Sequence, residues 1–520
     1  MESSGQLRRL SLSRRRMLVV GITGVGAILA ACSAPVPTAT VPPAKPAAPA
    51  PAPAAPAPAA TTAPAAPAPA AAATKPAAAP APATAPTTAP AAPAPAAKPA
   101  ASTGQKTEIV LISPFGRPPA DLRGQTQDDL QKAFEAKNPN TKVTFVEGVW
   151  AKLMEQIVTT VGGGGQIDST IWIDDQRVPQ LAATGFLAPL DDNVKADKLD
   201  LNDWEKLALD ASRYKSKLYA LPYYWDMRAL FYNKDHFKEV GLDPTKAPAS
   251  WDEFKTFATR LSKKKGEDID RIGGVPLMPG GGTGGGYQLT GNTWLFLWGW
   301  LNGGKFTNDD FTQITCDSPE IVEALEWCTQ FVKDMGGAEK LTAFGQLAAA
   351  GGILPIMTEK LSMTIAPTGS LWFDQIKAKK PELQTTLGYA APPKGKKSAT
   401  WSGVLSSVVF STSKVKDAAW EYVKFMNEPA NGVLFAKRHA WIPTRKSVIP
   451  MDPIFKEDPV IAFTIGLIPQ TNIRPPIPPS QLIWDEMIRA SDNAITGKMS
   501  AKEALTAAKV KVQAELDKFK

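Results

Sequence analysis

The sequence predicts an α/β domain on a parallel sheet, standing behind a long segment that has no core of its own. Three observations carry this reading. Between Thr107 and Ile173 the chain alternates strand, helix, strand, helix, strand at the spacing of crossover units. Of its 48 prolines, 21 lie between Pro35 and Pro99, in a tract of little but Ala, Pro and Thr. All 14 Trp fall after that tract, in a 520-residue chain that is 44% apolar, so the part from about residue 105 onward can bury a large core.

Residues 1–31 read as an export signal. Arg8, Arg9, Arg14, Arg15 and Arg16 precede Met17 to Ala31, an uncharged stretch containing three Gly. As a helix it would span about 22 Å, short of the ~30 Å hydrocarbon core, which marks a signal-peptide apolar region rather than a transmembrane helix. Ser13-Arg14-Arg15-Arg16-Met17-Leu18 resembles a twin-arginine signal, with an ordinary secretory signal as the alternative. Leu29-Ala30-Ala31-Cys32 resembles the bacterial lipobox, so Cys32 is expected to be acylated and to anchor the mature chain to a membrane surface. Residues 32–104 form the tether. Ala/Pro sequence favours extended polyproline II, and at ~3.1 Å per residue the contour reaches about 200 Å.

These two segments also hold most of the charge. The net charge is +8, of which the five Arg and one Glu of residues 1–31 supply half, and Lys45, Lys75 and Lys98 lie in the tether. The domain from 105 to 520 is therefore close to neutral, which argues against nucleic acid as a partner.

Within the domain, Thr107 to Ser113 reads as a buried strand, Asp128 to Lys137 as a helix stopping before Asn138-Pro139, and Lys142 to Glu147 as a second strand. A helix from Lys152 to Val161 stops at Gly162 to Gly165, and Ser169 to Ile173 gives the third strand. Further helices announce their starts. Ser250 with Glu253 and Ser500 with Glu503 have capping-box spacing, and Ser413 precedes an apolar run through Ala418, Trp420 and Phe425.

With Cys32 assigned to lipid, Cys316 and Cys328 remain. Ser318-Pro319 reads as an N-cap followed by Pro at the first helical position, and Ile321, Val322, Leu325, Phe331 and Val332 continue a helical stripe. Twelve residues of mostly helical rise put the sulfurs about 18 Å apart, beyond the ~7 Å Cα limit of a disulfide, so both are expected to be free buried thiols. His236 and His439 are the only histidines and have no metal-ligand spacing. No HExxH, GxSxG, CxxC pair or GK[ST] loop is present, and the glycine run from Gly280 to Gly286 lacks a phosphate-reaching Lys. No metal, cofactor or catalytic machinery is expected.

A set of short motifs then recurs in order: Phe134-Glu135 with Asn138-Pro139, Gly185-Phe186-Leu187-Ala188-Pro189-Leu190-Asp191, Tyr219-Ala220-Leu221-Pro222, and Leu230-Phe231-Tyr232-Asn233-Lys234. Ser250-Trp251-Asp252-Glu253, Asn302-Gly303-Gly304, Pro392 through Gly403 and Pro443-Thr444 follow. In order and spacing, residues 106–520 resemble the carbohydrate-type extracellular solute-binding proteins of ABC importers, the family that includes maltose-binding protein. The resemblance implies a two-lobed periplasmic-binding-protein-like fold of type II, with the ligand enclosed between lobes joined by crossing segments. By analogy the crossings lie near Leu221 to Leu230, Trp401 to Ser407 and Met451 to Asp458. Lobe 1 would then hold about 106–222 and 405–452, and lobe 2 about 228–400 and 457–520.

Sugars offer apolar C–H faces ringed by hydroxyls, so their sites combine aromatic platforms with carboxylates. Trp172 and Asp175 follow the third strand at its C-terminal end, where open α/β sheets place ligands, and match stacking and hydrogen-bonding positions of the family. Asp226, six residues before Tyr232, falls on the first crossing at a ligand-carboxylate position; a hinge salt bridge with Arg228 is its alternative role. Trp294 and Trp298 share a helical face, which by itself reads as core, and only Trp294 matches a cleft position. Trp372, one residue from the family's stacking Trp, Trp401 at the second crossing, and Trp484 after Pro478-Pro479 complete the candidates. The first-strand loop, Ser113 to Pro119, departs from the maltose-binding pattern, so maltose itself is not implied. The resemblance implies a monomeric receptor that delivers a sugar to an ABC permease. A polyamine held by Asp174, Asp175 and Asp226 is the alternative cargo, and a glycosidase using two of those acids the alternative class, although nothing pairs them at a catalytic separation.

Overall fold

A computed structural model of the chain describes residues 106–115, 122–279, 295–349 and 353–520. The export signal, Cys32, the tether, the glycine run and Trp294 lie outside the described residues.

The first lobe opens as the alternation requires. Strand β1 (Thr107–Ser113), helix α1 (Leu122–Lys137), strand β2 (Thr141–Glu147), helix α2 (Leu153–Gly162), strand β3 (Ser169–Asp174) and helix α3 (Arg177–Ala183) follow one another, with β1 parallel to both β2 and β3. Helix α1 starts six residues before the predicted Asp128. Its first turns carry Arg, Gly, Gln and Thr rather than an apolar stripe, and they are held by polar contacts such as the Thr126 hydroxyl donating to the Leu122 carbonyl at 2.8 Å. The buried Asp168 fastens this layer. Its carboxylate accepts from the Val110 N–H at 2.8 Å and from the Ser413 hydroxyl at 2.7 Å.

Two long strands do the joining. Strand β4 (Ala220–Asn233) and, after β5 (Met363–Pro367) and β6 (Leu387–Ala390), strand β7 (Thr400–Val409) pair with each other antiparallel, and β3 pairs with β7 on its other edge. The sheet runs β6-β4-β7-β3-β1-β2, with β5, β8 (Ile442–Pro443) and β9 (Thr471–Asn472) attached beside this path. Every residue of β7 is buried and only Asp226 of β4 is partly open, so both faces of these strands are covered although they carry polar residues such as Ser402, Ser406, Asp226 and Arg228.

The hydrophobic residues divide between two cores along these same strands. Leu221, Tyr223 and Tyr224 of β4 and Leu405 and Val408 of β7 pack with β1–β3, whereas Trp225, Met227, Leu230, Trp401 and Val404 pack with the second core. Each strand changes core between adjacent residues, at Tyr224/Trp225 and at Val404/Leu405, which is how a single sheet serves two lobes. Helix α4 (Trp251–Leu261), helix α5 (Leu295–Leu301), helix α6 (Pro319–Asp334), helix α9 (Ser480–Ile495) and helix α10 (Ala501–Leu516) build the second core. Helix α7 (Lys416–Met426) covers the first. Helix α8 (Pro429–His439) leans on both, with Phe435 in one core and Ala436 in the other.

The start signals hold in different degrees. Ser500 and Glu503 form a reciprocal capping box. Ser250 accepts from the Glu253 N–H, but the Glu253 carboxylate takes the Ala249 N–H at 2.7 Å instead of that of Ser250. Ser413 lies before rather than at the helix start, bonded to Asp168. Pro319 opens α6 at its first position, and Cys316 and Cys328 are free and buried. Among the described residues no helix is long and apolar enough to cross a membrane.

Candidate functional site

Segments far apart in sequence bring a buried charged cluster to the place where β4 and β7 pass between the cores. Asp174 ends β3, Asp175 and Gln176 form the turn after it, and Arg177 begins α3. Tyr224, Asp226 and Arg228 come from β4, Trp401 and Val404 from β7, Arg474 from the segment after β9, and Trp484 from α9.

Arg474 is the centre of this cluster. Its Nη2 lies 3.3 Å from Asp174 Oδ2 and 3.2 Å from Asp175 Oδ1, so one guanidinium from the second lobe clasps two neighbouring carboxylates of the first. Arg177 adds a contact of 3.1 Å to Asp174 Oδ1. Asp175 is locked to the crossing strand as well: its N–H donates to the Val404 carbonyl at 2.9 Å, and the Val404 N–H donates to its Oδ1 at 3.3 Å. Burial pushes the Asp175 carboxyl above its usual range, further than Arg474 draws it back.

Asp226 occupies the first crossing and is paired with Arg228, at 3.4 Å, so the hinge salt bridge is formed. Its side chain keeps 20% exposure, and its Oδ1 makes no hydrogen bond. The other buried polar atoms without a hydrogen bond include Asp175 Oδ2, Gln176 Oε1 and Arg474 Nε, acceptors and a donor together. Such atoms are costly unless a partner reaches them.

The aromatic candidates separate into two groups. Trp401 is buried, with the Arg228 guanidinium 3.9 Å from its ring centroid and that of Arg474 at 5.3 Å; Arg474 also lies 4.4 Å over Trp484. Trp484 is half-buried beside Trp401, with centroids 6.0 Å apart. Trp372 packs in the second core, stacked on Phe231 at 6.0 Å and edge-on to Tyr389. Trp172 is buried in the first lobe, its indole N–H donating to Gln127 at 2.9 Å. It belongs to a string of rings: Trp150 to Phe115 at 5.9 Å, Phe115 to Trp172 at 4.5 Å, Trp172 to Trp441 at 6.0 Å, and Trp441 stacked on Tyr224 at 4.2 Å. The string runs from Trp150, which is 39% exposed, to the Tyr224 hydroxyl, which burial first and then Asp226 keep protonated.

The sequence singles out none of Arg474, Arg177, Trp150 or Trp441. One signal does exist for Arg474: it is the only charged residue between Pro459 and Trp484. A separate cavity of about 520 Å³, lined by Leu207, Trp300, Phe306, Lys397 and Ile473 among others, includes none of the predicted site residues. Among the described residues no group of three His, Cys, Asp or Glu could hold a metal ion.

Two α/β lobes sharing a pair of crossing strands, with a charged and aromatic cluster between them, define a receptor class that encloses small solutes by hinge closure. The chain belongs to the bacterial extracellular solute-binding protein family, whose profile matches residues 119–433. A binding protein of Brucella abortus is 27% identical over 393 residues, covering 75% of this chain and 90% of that protein. The mannitol-binding protein of Pseudomonas aeruginosa is 25% identical over 418 residues, covering 74% and 89%. Among solved structures, an ABC transporter solute-binding protein of Thermotoga lettingae bound with α-D-tagatose matches with a TM-score of 0.66 at 22% identity, over 79% of this chain and 100% of that one. The shared fold is the two-lobed type II architecture.

Proposed function

We propose that this chain captures a neutral sugar, an oligosaccharide or a glycoside, between its lobes and delivers it to the permease of an ABC importer. The observation that carries this is the charge balance of the cluster. Asp174, Asp175 and Asp226 are matched by Arg177, Arg228 and Arg474, so an amine ligand would find its counter-charges already taken. What the cluster has left over is hydrogen-bonding capacity of both signs, on Asp175 Oδ2, Asp226 Oδ1, Gln176 Oε1 and Arg474 Nε. A sugar hydroxyl both donates and accepts, so a ring of hydroxyls supplies both kinds of partner. The mannitol and tagatose ligands named for the relatives support the same chemistry.

Ligand contact is assigned to Asp175, Asp226 and Trp484, with Trp172 and Trp401 behind them as the walls of the site; Trp372 serves the second core. Trp294 stays a candidate by resemblance alone. In the cell, a twin-arginine or secretory signal would export the chain, acylation of Cys32 would hold it at the outer face of the cytoplasmic membrane, and residues 33–104 would let the monomeric receptor reach its permease.

Calorimetric titration of mono-, di- and oligosaccharides, polyols and spermidine into the full chain tests the ligand. Saturable binding of a neutral sugar is expected, and spermidine binding with no sugar response overturns the reading. For the anchor, Cys32→Ser should release the protein from the membrane fraction.

A further inference from the structure

We infer that Gly403 is a specificity-determining residue, the point on the floor of the site over which one sugar ring lies. The inference rests on the sugar reading above and gives that ring a position. Strands β4 and β7 pass between the cores in regular register here, with Gly403 opposite Asp226 and Leu405 opposite Tyr224. Toward the second lobe, the Arg228 guanidinium lies over the Trp401 ring. Side chains two apart on a strand leave the same face, so this face carries three cross-strand pairs in a row: Trp401 with Arg228, Gly403 with Asp226, and Leu405 with Tyr224. The outer pairs are packed, Trp401 in the second core and Leu405 and Tyr224 in the first. The middle pair has a single side chain, the Asp226 carboxylate.

The fold itself gives no reason for a glycine at this position. Glycine weakens a strand interior, and where it occurs it marks a bulge, a close backbone neighbour or the approach of a ligand. Gly403 is not at a bulge, since the register first shifts beyond Leu405. Its φ lies outside the left-handed region, and among the described residues no heavy atom falls within 4 Å of where a Cβ would stand. Gly388 of β6 shows the opposite case, because a Cβ there would run into the Tyr232 ring. Gly403 is buried all the same, so the clearance beside it lies inside the molecule and not on its outer surface. Of the three reasons for a strand glycine, the approach of a ligand is the one left.

The groups at its edges suit a ring of hydroxyls. Asp226 Oδ1 stands across from Gly403, and the next residue, Val404, holds Asp175 through its backbone; Asp226 Oδ1 and Asp175 Oδ2 are both buried and without a hydrogen bond. A sugar over Gly403 rests a C–H face on bare backbone and turns its hydroxyls outward to these two acceptors. A side chain added to Gly403 takes up that same volume.

A size series in the full chain tests this. Gly403→Ala, Gly403→Val and Gly403→Leu are melted without sugar and titrated calorimetrically with D-glucose, D-tagatose, maltotriose and mannotriose. Without sugar, each should melt within about 2 °C of the starting protein or above it, because the new side chain meets no neighbour and glycine is the weaker strand residue. For whichever of these sugars the starting protein binds, affinity should fall with side-chain volume, by less than about threefold for alanine and at least about thirtyfold for leucine. If the leucine variant does not fold, the valine variant decides. Overturning results are a folded leucine variant that binds like the starting protein, or valine and leucine variants that both melt far lower without sugar. An alanine variant that loses as much affinity as leucine also overturns the inference, since the glycine would then serve backbone bending rather than room. A starting protein that binds none of the four sugars overturns the sugar reading and this inference with it, and that failure shows before any substitution is made.

Discussion

Replacing Arg474 with methionine removes a charge and keeps most of the buried volume. It leaves Asp174 with Arg177 as its remaining ionic partner, and Asp175 with no cation at all, held against Val404 with a side chain that is 0% exposed. Removing one member of a buried pair costs about 3–5 kcal/mol. A domain of about 400 residues unfolds with an entropy near 0.9 kcal/mol per kelvin, so the melting temperature should fall by about 3–6 °C. The sign with pH follows from Asp175. Its carboxyl is already held above the usual range by burial, and losing Arg474 raises it further. The neutral acid tolerates burial, so the deficit of Arg474→Met should shrink as pH falls from 7 toward 5, and Asp175→Asn on the same background should recover most of it. Differential scanning calorimetry at both pH values reads all of this. A deficit below about 1 kcal/mol, or one independent of pH, shows that the clasp does not bear on an isolated buried charge.

Three further outcomes are expected. His236 is buried against Ser362, and burial first, then Arg271, pushes its imidazole from 6.5 down to about 4. The folded state thus favours neutral histidine: its stability is intact above about pH 6.5 and drains away as pH falls toward 4, by roughly 2 kcal/mol at pH 5; His236→Gln should flatten that slope in urea titrations, and an unchanged slope rejects it. Trp150→Ala should weaken binding of longer saccharides by about three- to tenfold while sparing monosaccharides and the melting temperature, because the exposed ring ends the aromatic string; equal losses across a chain-length series in calorimetry would count against it. Cys316, pushed up to about 12 by burial, and Cys328, also raised well above its usual range by burial, should resist alkylation in the native protein and both react on unfolding without reductant. A requirement for reductant in the mass spectrum would mean a disulfide.

The parallel half-sheet of lobe 1 was legible because its signal is local. TEIVLIS and STIWID are short apolar runs bounded by turn residues, and burial on both faces leaves no other use for them. The π-helix that carries Trp372, Gly369–Lys377, was not legible, since a single i→i+5 register leaves no periodicity that a helical stripe does not also leave. Charged contacts were the least legible of all. Asp226 and Arg228 are neighbours, and the possible bridge between them could be seen. Arg474 and Asp175 are 299 residues apart, and Arg123 and Asp374 are 251 apart, so only the folded chain reveals which arginine answers which carboxylate. The tryptophans show the same limit from the apolar side: the resemblance offered Trp372 and Trp401 as candidates to stack on ligand, but did not reveal that a phenyl group would lie over the first ring and a guanidinium over the second.

The pairing of β4 with β7 constrains how such a receptor can move. Two independent connections would let the lobes slide, twist and splay separately. Here Ser402 to Val404 stand opposite Met227 to Trp225 in hydrogen-bonded register, with Leu405 opposite Tyr224 and the first irregularity just beyond. The connection is therefore a two-ply ribbon, stiff against shear within its plane because sliding would break the ladder, and compliant only to bending across its face. Motion is funnelled into nearly one coordinate, so whatever surface the two lobes jointly present on closing comes into alignment as a unit rather than by chance.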